Sequence, residues 1–348
     1  MSPTHDVSAD QGRDVVVGMD GSAQSERAFL AGLKIARSRD LPLRLVGAFP
    51  RLVMTDSYYV TMMDDYLDAA VEETQRMLSG YVSQAEGSGV KVTTRTIMGD
   101  PGQTLVEESR TAAVAVVGKR GRNRFSGRFL GSVSSKLAAY GHCPTVVIPE
   151  KWESESTENL LAQPQDLAHG DAAMSEPLSQ VEESAPRAHG RRDFANVAPE
   201  LNFDSEVVVG VDVSDHASDV VRLAAEAAAM LDSPLALVSA APLNADNRWF
   251  ANTVEHNLEL PNLRRPYTDQ LQSSAEHISE MFPNITVRWQ FFDGSPAGVL
   301  SEASRTAALV AVGTRGHGGF AGLVLGSVSQ AVLTRAVCPV LVVPTHKS

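Results

Sequence analysis

Residues 113–118 (AVAVVG) run directly into Gly118-Lys119-Arg120-Gly121, and nine residues later comes Gly131-Ser132. Residues 308–313 (ALVAVG) run into Gly313-Thr314-Arg315-Gly316, and again nine residues later comes Gly326-Ser327. The shared pattern is an apolar run followed by G-x-x-G-x9-G-S, and Gly313 lies 195 residues beyond Gly118. A repeat of that length marks duplicated domains rather than the turns of a solenoid.

The flanks repeat in step. Residues 14–20 (DVVVGMD) and 206–212 (EVVVGVD) are apolar runs that end in an acid, and each predicts a strand. In the first copy a helix is expected over 23–39, a strand over 43–49, a long helix over 60–86 and a strand over 90–98. Gly99-Asp100-Pro101 reads as a helix start, with Asp100 as cap and Pro101 at a first position that needs no N–H. Residues 113–118 and 145–149 are the last two strands, with a helix near 130–140 between them. The second copy predicts strands over 235–240, 285–292, 308–313 and 340–343, with Gly294-Ser295-Pro296 in place of Gly99-Asp100-Pro101. Its first strand is offset by 192 residues and its glycine motif by 195 (20 to 212, 118 to 313), so it carries three extra residues. The polar stretch 242–266 is expected to hold them as a longer loop. Strands rich in Val, Ala and Leu on both faces, alternating with helices, predict a parallel sheet covered on both sides. Right-handed crossovers restrict such a sheet to a doubly wound α/β fold, here in two tandem copies.

Composition sets the bounds. With 348 residues, 43% of them hydrophobic and 21% charged, the chain has material for two globular cores. The net charge of −12 argues against a nucleic-acid binder. Between Glu150 and Asp204 lie twelve acidic and four basic residues, together with Pro164, Pro177, Pro186 and Pro199. Such a segment buries too little apolar surface to offset its ordering entropy, so it reads as an acidic, disordered spacer. The expected boundaries are a disordered N-terminus over 1–12, a first domain over 13–150, a Pro/Ser-rich linker over 151–204 and a second domain over 205–348. No apolar run reaches the length of a membrane helix, and 1–12 carries neither a basic region nor an apolar core. The expectation is therefore a cytoplasmic protein with no membrane or nucleic-acid partner. Cys143 and Cys338, each before a proline at equivalent positions, read as two partly buried thiols in a reducing compartment rather than a disulfide, and no Cys/His cluster suggests a metal.

In an open parallel sheet, ligands bind beyond the carboxyl ends of the strands where the chain order reverses. Asp20 and Gly118 stand at two such ends. Glycines at 118 and 121 allow backbone to approach an anion, and Gly131-Ser132 opens a helix whose free N–H groups favour phosphate. Ser132 offers a hydroxyl that can also cap that helix. Asp20 suits an adenine amino group or a ribose hydroxyl. The arrangement reads as a nucleotide held between two strand ends, twice. There is no G-x-x-x-x-G-K-[ST], and the G-x-G-x-x-A fit at Gly316–Ala321 follows the wrong strand and occurs once.

VVVGMDGS, GDP, GKRG-x9-GSVS and CPTVVIP together resemble a universal stress protein domain of the ATP-binding kind. VVVGVDVS, GSP, GTRG-x9-GSVS and CPVLVVP resemble a second, and the tandem form is similar to that of actinobacteria. The resemblance implies two five-stranded sheets in order 3-2-1-4-5, a Rossmann-like fold of the adenine nucleotide alpha hydrolase kind. It implies ATP, alone or with Mg, at each switch point. It places Asp20 and Asp212 at adenine or ribose, the backbone of Gly18 and Gly210 beside the ribose, and Ala48 and Ala240 near adenine. Gly118, Lys119, Arg120, Gly121, Gly131, Ser132 and Val133 surround the phosphates of the first half. Gly313, Thr314, Arg315, Gly316, Gly326, Ser327 and Val328 do so in the second. Pairing of the two domains within the chain is also implied, and a further homodimer stays open.

The halves differ. Gly21 corresponds to Val213, and the first loop carries Lys119, Arg120, Arg122, Arg124 and Arg128 where the second has Arg315 and His317. On charge, the first site is expected to hold triphosphate more strongly. No Ser/His/Asp set can be placed by spacing, and Glu107, Glu108 and Glu302 read as a solvated helix face. The function expected is a nucleotide-dependent regulator with a protein partner in the stress response. The alternatives are a slow ATPase or phosphotransferase, or an ATP-independent scaffold.

Overall fold

The computed structural model describes residues 14–50, 60–121, 130–150, 152, 201–214, 217–243, 254–316 and 325–345, with backbone alone over 60–65 and 254–260. The chain divides into two compact units, Met1–Gln163 and Pro164–Ser348. Most of the segment expected as linker lies outside the described residues, as does 1–12.

The first unit runs β1 (Asp14–Met19), α1 (Ala23–Ser38), β2 (Leu43–Phe49), α2 (Val60–Gln84), β3 (Val92–Met98), α3 (Pro101–Glu108), β4 (Ala112–Gly118), α4 (Ser132–Tyr140) and β5 (Thr145–Ile148). Its strands pair in the order β3-β2-β1-β4-β5, all parallel. The second unit repeats the series with β6 (Val207–Gly210), α5 (Ala217–Leu231), β7 (Leu235–Ala241), α6 (Val254–Met281) and β8 (Val287–Asp293), then α7 (Pro296–Ala303), β9 (Leu309–Gly313), α8 (Ser327–Arg335) and β10 (Val340–Val343). Its order is β8-β7-β6-β9-β10, again all parallel. Both five-stranded, doubly wound sheets are thus present.

Burial explains why these runs are strands. Val15, Val16 and Val17 are fully buried, as are Val207, Val208 and Val209. Successive residues point to opposite faces, so only a sheet covered on both sides buries them all. Helix starts follow the expected chemistry. Asp100 caps α3 by accepting the Gln103 N–H at 2.8 Å, with Pro101 in the first turn, and Ser22 caps α1 by accepting the Ser25 N–H at 3.2 Å. Among the described residues, no helix is long and apolar enough to cross a membrane. Cys143 and Cys338 are buried thiols, and burial pushes the Cys338 thiol up to about 12.

Three expectations change. The stretch 242–266 is not a loop throughout, because α6 begins at Val254 and contains Pro261 and Pro266. Each interior proline removes a backbone donor and costs about 3 kcal/mol. Leu271, Ala275 and Ile278, spaced four and three apart, are buried on this helix and hold it in place. Glu108 is not solvated. It is 7% exposed, with Oε2 2.9 Å from Arg44 Nη1 and Oε1 2.7 Å from Arg95 Nη1. Glu302 pairs with Arg305 at 3.1 Å with little exposure, while Glu107 is exposed beside Arg110. Finally, 201–204 packs on the second unit rather than belonging to a spacer. The Phe203 N–H donates to Thr306 Oγ1 at 2.8 Å, and its buried ring meets Phe292 at 6.3 Å and the Arg288 guanidinium at 4.8 Å.

Phe203→Ala should therefore destabilise the second unit by about 3–5 kcal/mol, the usual cost of emptying a buried aromatic site. Hydrogen exchange resolved by segment measures this: faster exchange over β6 and β8 with β1 and β2 unchanged is expected, and unchanged protection in β8 would show that 201–204 is a spacer after all.

Candidate nucleotide site

In the second unit the chain passes β6, β7 and β8 outward, then returns across β6 to lay down β9 on its other side. The tips of β6 and β9 diverge at that reversal. A cavity of about 370 Å³ opens there, of the size that small-molecule sites have. It runs from Val238, Ser239 and Ala240 at the tip of β7, past Gly210 and Asp212 beyond β6, to Gly313, Arg315 and Gly316 beyond β9. Gly326, Ser327 and Val328 at the start of α8 close that end, and Val220, Pro296 and Leu300 supply apolar wall. The distance crossed is two strand spacings, roughly 10 Å. Nine of the ten positions expected for this half, all but Thr314, line one cavity.

Asp212 is held by its own turn. Its Oδ1 accepts the Ser214 N–H at 3.2 Å and the Ser214 hydroxyl at 2.5 Å. Asp20 accepts the Ser22 N–H at 3.0 Å in the same way. The other oxygen, Oδ2, lies so close to the second glycine of the motif that a Cβ on Gly316 or Gly121 would collide with it. Glycine is therefore required at 121 and 316 by a carboxylate, and the carboxylate bars a phosphate from that immediate spot.

The loop amides are mostly committed within the protein. Lys119 N–H donates to Ile148 O at 2.7 Å, and Thr314 N–H to Val343 O at 2.8 Å. Arg120 N–H donates to Gln24 Oε1 at 2.8 Å, whereas Arg315 N–H donates to Thr345 Oγ1 at 3.1 Å. Gly131 and Gly326 close the loop on Lys119 O and Thr314 O at 2.9 and 2.7 Å. These glycines, not Ser132 and Ser327, occupy the capping positions of α4 and α8, and neither helix start has a side-chain cap. In the second unit the first turn of α8, with Ser327 and Val328, lies at the cavity wall and brings the positive end of its helix dipole there. That is where the structure offers an anion its donors.

A family model for the universal stress protein family matches residues 12–149 and 205–344. The chain belongs to that family, in two tandem copies. Two universal stress proteins of Mycobacterium tuberculosis are each 28% identical to it, covering 94% of this chain and 94% and 95% of their own. Among solved structures, a universal stress protein from Archaeoglobus fulgidus matches with a TM-score of 0.60 at 18% identity, over 97% of this chain and 100% of that one. A functionally unknown protein from Pseudomonas aeruginosa matches with a TM-score of 0.54 at 14% identity, over 96% and 93%. At such identities the structural likeness is one of fold.

Within this family frame several motif residues do other work than expected. Gly118 is glycine because Gln24 fills the space a Cβ would need, and Gly313 because Thr345 and Val220 do. Gly18 and Gly210 make room for Leu105 and Leu300. Thr314, 1% exposed, turns away from the cavity and shares a 2.9 Å hydrogen bond with Thr345. Its counterpart Lys119 is 9% exposed near Glu150, the residue at the position of Thr345. Arg120 Nη1 lies 3.4 Å from Glu150 Oε2. Arg122, Arg124, Arg128 and His317 lie outside the described residues, so two of the five cations counted for the first loop face Glu150 and three are not described. Sequence reading missed Gln24, Glu150, Thr345 and Tyr267. Aligning the two copies at PE and PT after the last strand would have shown Glu150 against Thr345, but Tyr267 has no motif around it.

Burial, and secondarily Arg120, lower the Lys119 amine from 10.5 to about 8, with Glu150 opposing. Below about 8 both folded and unfolded chains carry the proton, and the cost of burying the ammonium is fully present. Between 8 and 10.5 the unfolded chain holds the extra proton, so this group makes stability rise with pH. Lys119→Met should raise the first unit's urea midpoint at pH 7, and its advantage should shrink as pH climbs from 8 to 10.5. An advantage independent of pH would remove Lys119 as the titrating group.

Proposed function

We propose that each half binds ATP at its switch point, and that the bound nucleotide sets the shape through which this protein regulates a partner. One observation supports this most. A single cavity joins an apolar slot at β7, a fixed carboxylate at β6 and an uncapped helix start beyond β9, in the order base, ribose and phosphate. Asp212 would accept hydrogen bonds from ribose hydroxyls. Ser327 and Val328 would donate theirs to phosphate oxygens, with the exposed Arg315 beside them. Among the described residues no group of three His, Cys, Asp or Glu could hold a metal by itself, so any Mg²⁺ would arrive on the triphosphate and shield its charge.

Binding rather than turnover fits the chemistry of the wall. Asp212 is the one carboxylate among the described lining residues, and no His, Cys or Lys is found there. Its Oδ1 is already engaged by Ser214, which suits an orienting acceptor better than a base.

Charge counting in the sequence favoured the first site. Among the described residues the balance lies the other way, because Arg120 is drawn to Glu150 whereas Arg315 lines the cavity. Gly118→Ala and Gly313→Ala would disturb Gln24 and Thr345 and hence the fold, so Gly121→Ala and Gly316→Ala, which press on Asp20 and Asp212, are the better pair. By calorimetric titration, Gly316→Ala should abolish the tighter ATP site and Gly121→Ala the weaker. Asp212→Ala should weaken the tighter site by about 10- to 100-fold, the value of hydrogen bonds to a charged acceptor. No heat with ATP at millimolar concentration in the unmodified protein would sink the nucleotide reading.

A further inference from the structure

The two halves differ at the slot over the second strand. In the first unit Thr74 of α2 lies there, its γ-methyl 2.5 Å from where a Cβ on Gly47 would stand, and its hydroxyl donates back to Ala70 O at 2.8 Å. Gly47 pairs beside Val46 and Ser239 beside Val238, so Gly47 and Ser239 occupy the same place in the two sheets. Thr74 precedes the buried Leu78 by four residues, and Tyr267 of α6 precedes the buried Leu271 by four. Tyr267 is thus the counterpart of Thr74. It is half-buried, lines the cavity beside Ser239 and Ala240, and packs its ring on Phe291 at 5.4 Å with a 37° tilt. Phe291 in turn lies 5.9 Å from the Arg264 guanidinium. The Tyr267 ring is therefore braced from behind.

We infer that Tyr267 sets the base specificity of the second site: its braced ring is a stacking surface that selects an extended purine over a small pyrimidine, and the first site, with Thr74, lacks this selection. The inference rests on the nucleotide reading of the cleft. A preformed aromatic surface needs no ordering when the base arrives, and stacking strength grows with the area of the base. The phosphate end, built from α8 and Arg315, lies at the far side of the cavity and makes no use of the ring.

The test uses the full chain carrying Gly121→Ala, so that the second site is read alone. Calorimetric titration is done with ATP, UTP and inorganic tripolyphosphate, on Tyr267 protein, Tyr267→Leu and Tyr267→Phe. Leucine keeps apolar bulk against Phe291 but removes the aromatic face, and phenylalanine keeps the face without the hydroxyl. The expected result is ATP bound about tenfold more tightly than UTP in the parent, a difference lost in Tyr267→Leu and kept in Tyr267→Phe. Tripolyphosphate binding should be the same in all three. Equal weakening of ATP and tripolyphosphate by Tyr267→Leu would overturn the inference by making the ring a support for the fold. An ATP preference that survives in Tyr267→Leu would overturn it by placing selection elsewhere. Binding of tripolyphosphate but not of ATP by the parent would overturn it and leave an anion site, whereas binding of neither would fell the nucleotide reading itself.

Discussion

The close approach of an aspartate oxygen to a glycine, Asp20 to Gly121 and Asp212 to Gly316, is the constraint on which each glycine loop depends. The sheet order brings the loop after the fourth strand back over the tip of the first. At that crossing there is room for backbone and a carboxylate, not for a second side chain. The carboxylate is fixed by the following serine, so the loop is located against something that does not move. In the second unit's cavity an acceptor therefore sits in the middle, between the tip of β7 and the start of α8.

Behind this shared frame, the two halves satisfy the same backbone groups with different side chains. A buried N–H left without an acceptor is costly, so the amides at 120 and 315 must each find one. Gln24, at the start of α1, supplies it in the first unit, and Thr345, just beyond the last strand, in the second. The neighbouring position shows the same freedom. A lysine near a glutamate, Lys119 and Glu150, stands where two threonines share one hydrogen bond, Thr314 and Thr345. The charged version carries a desolvation cost that the neutral one avoids. Duplication has preserved the hydrogen-bond requirement and not the residue that meets it.

The difference between what could be read in the sequence and what could not follows from the same distinction. Strands such as Val15–Val17 are legible because a short β-branched apolar run, repeated in alternation with helical stretches, fits a strand covered on both faces. The pairing of Asp20 with the glycine motif is legible as order and spacing, since chain reversal alone brings those tips together. The reasons for individual glycines were not legible, because Gly118 answers to Gln24 and Gly313 to Thr345, residues far away in the chain. Nor was the fate of Glu108, whose partners Arg44 and Arg95 come from two other strands. Local composition misled at 201–204 and at Pro261 and Pro266, where long-range burial of Phe203, Leu271 and Ile278 outweighs a local preference for disorder or loop. Tyr267 was invisible for a related reason: on its helix it reads as one more half-buried aromatic, and only the neighbouring tip of β7 gives it a meaning.

A bound ligand regulates only in so far as it interacts differently with two states of the protein. On the proposed reading, the parts of the cleft that could differ are few. Asp212 and the strand tips are fixed by the sheet and by Ser214, so a nucleotide gains the same contacts there in any state. The start of α8 is different, for its first-turn amides have no side-chain cap and, on the described side, the loop before it is held by the Gly326 N–H on Thr314 O and the Ser329 hydroxyl on Gly313 O. An anion placed there supplies the missing acceptors and ties the loop to the helix. On that reading the free energy of binding that can be turned into a change of shape is concentrated at the phosphate end, and the role inferred for Tyr267 leaves the choice of molecule to the base end.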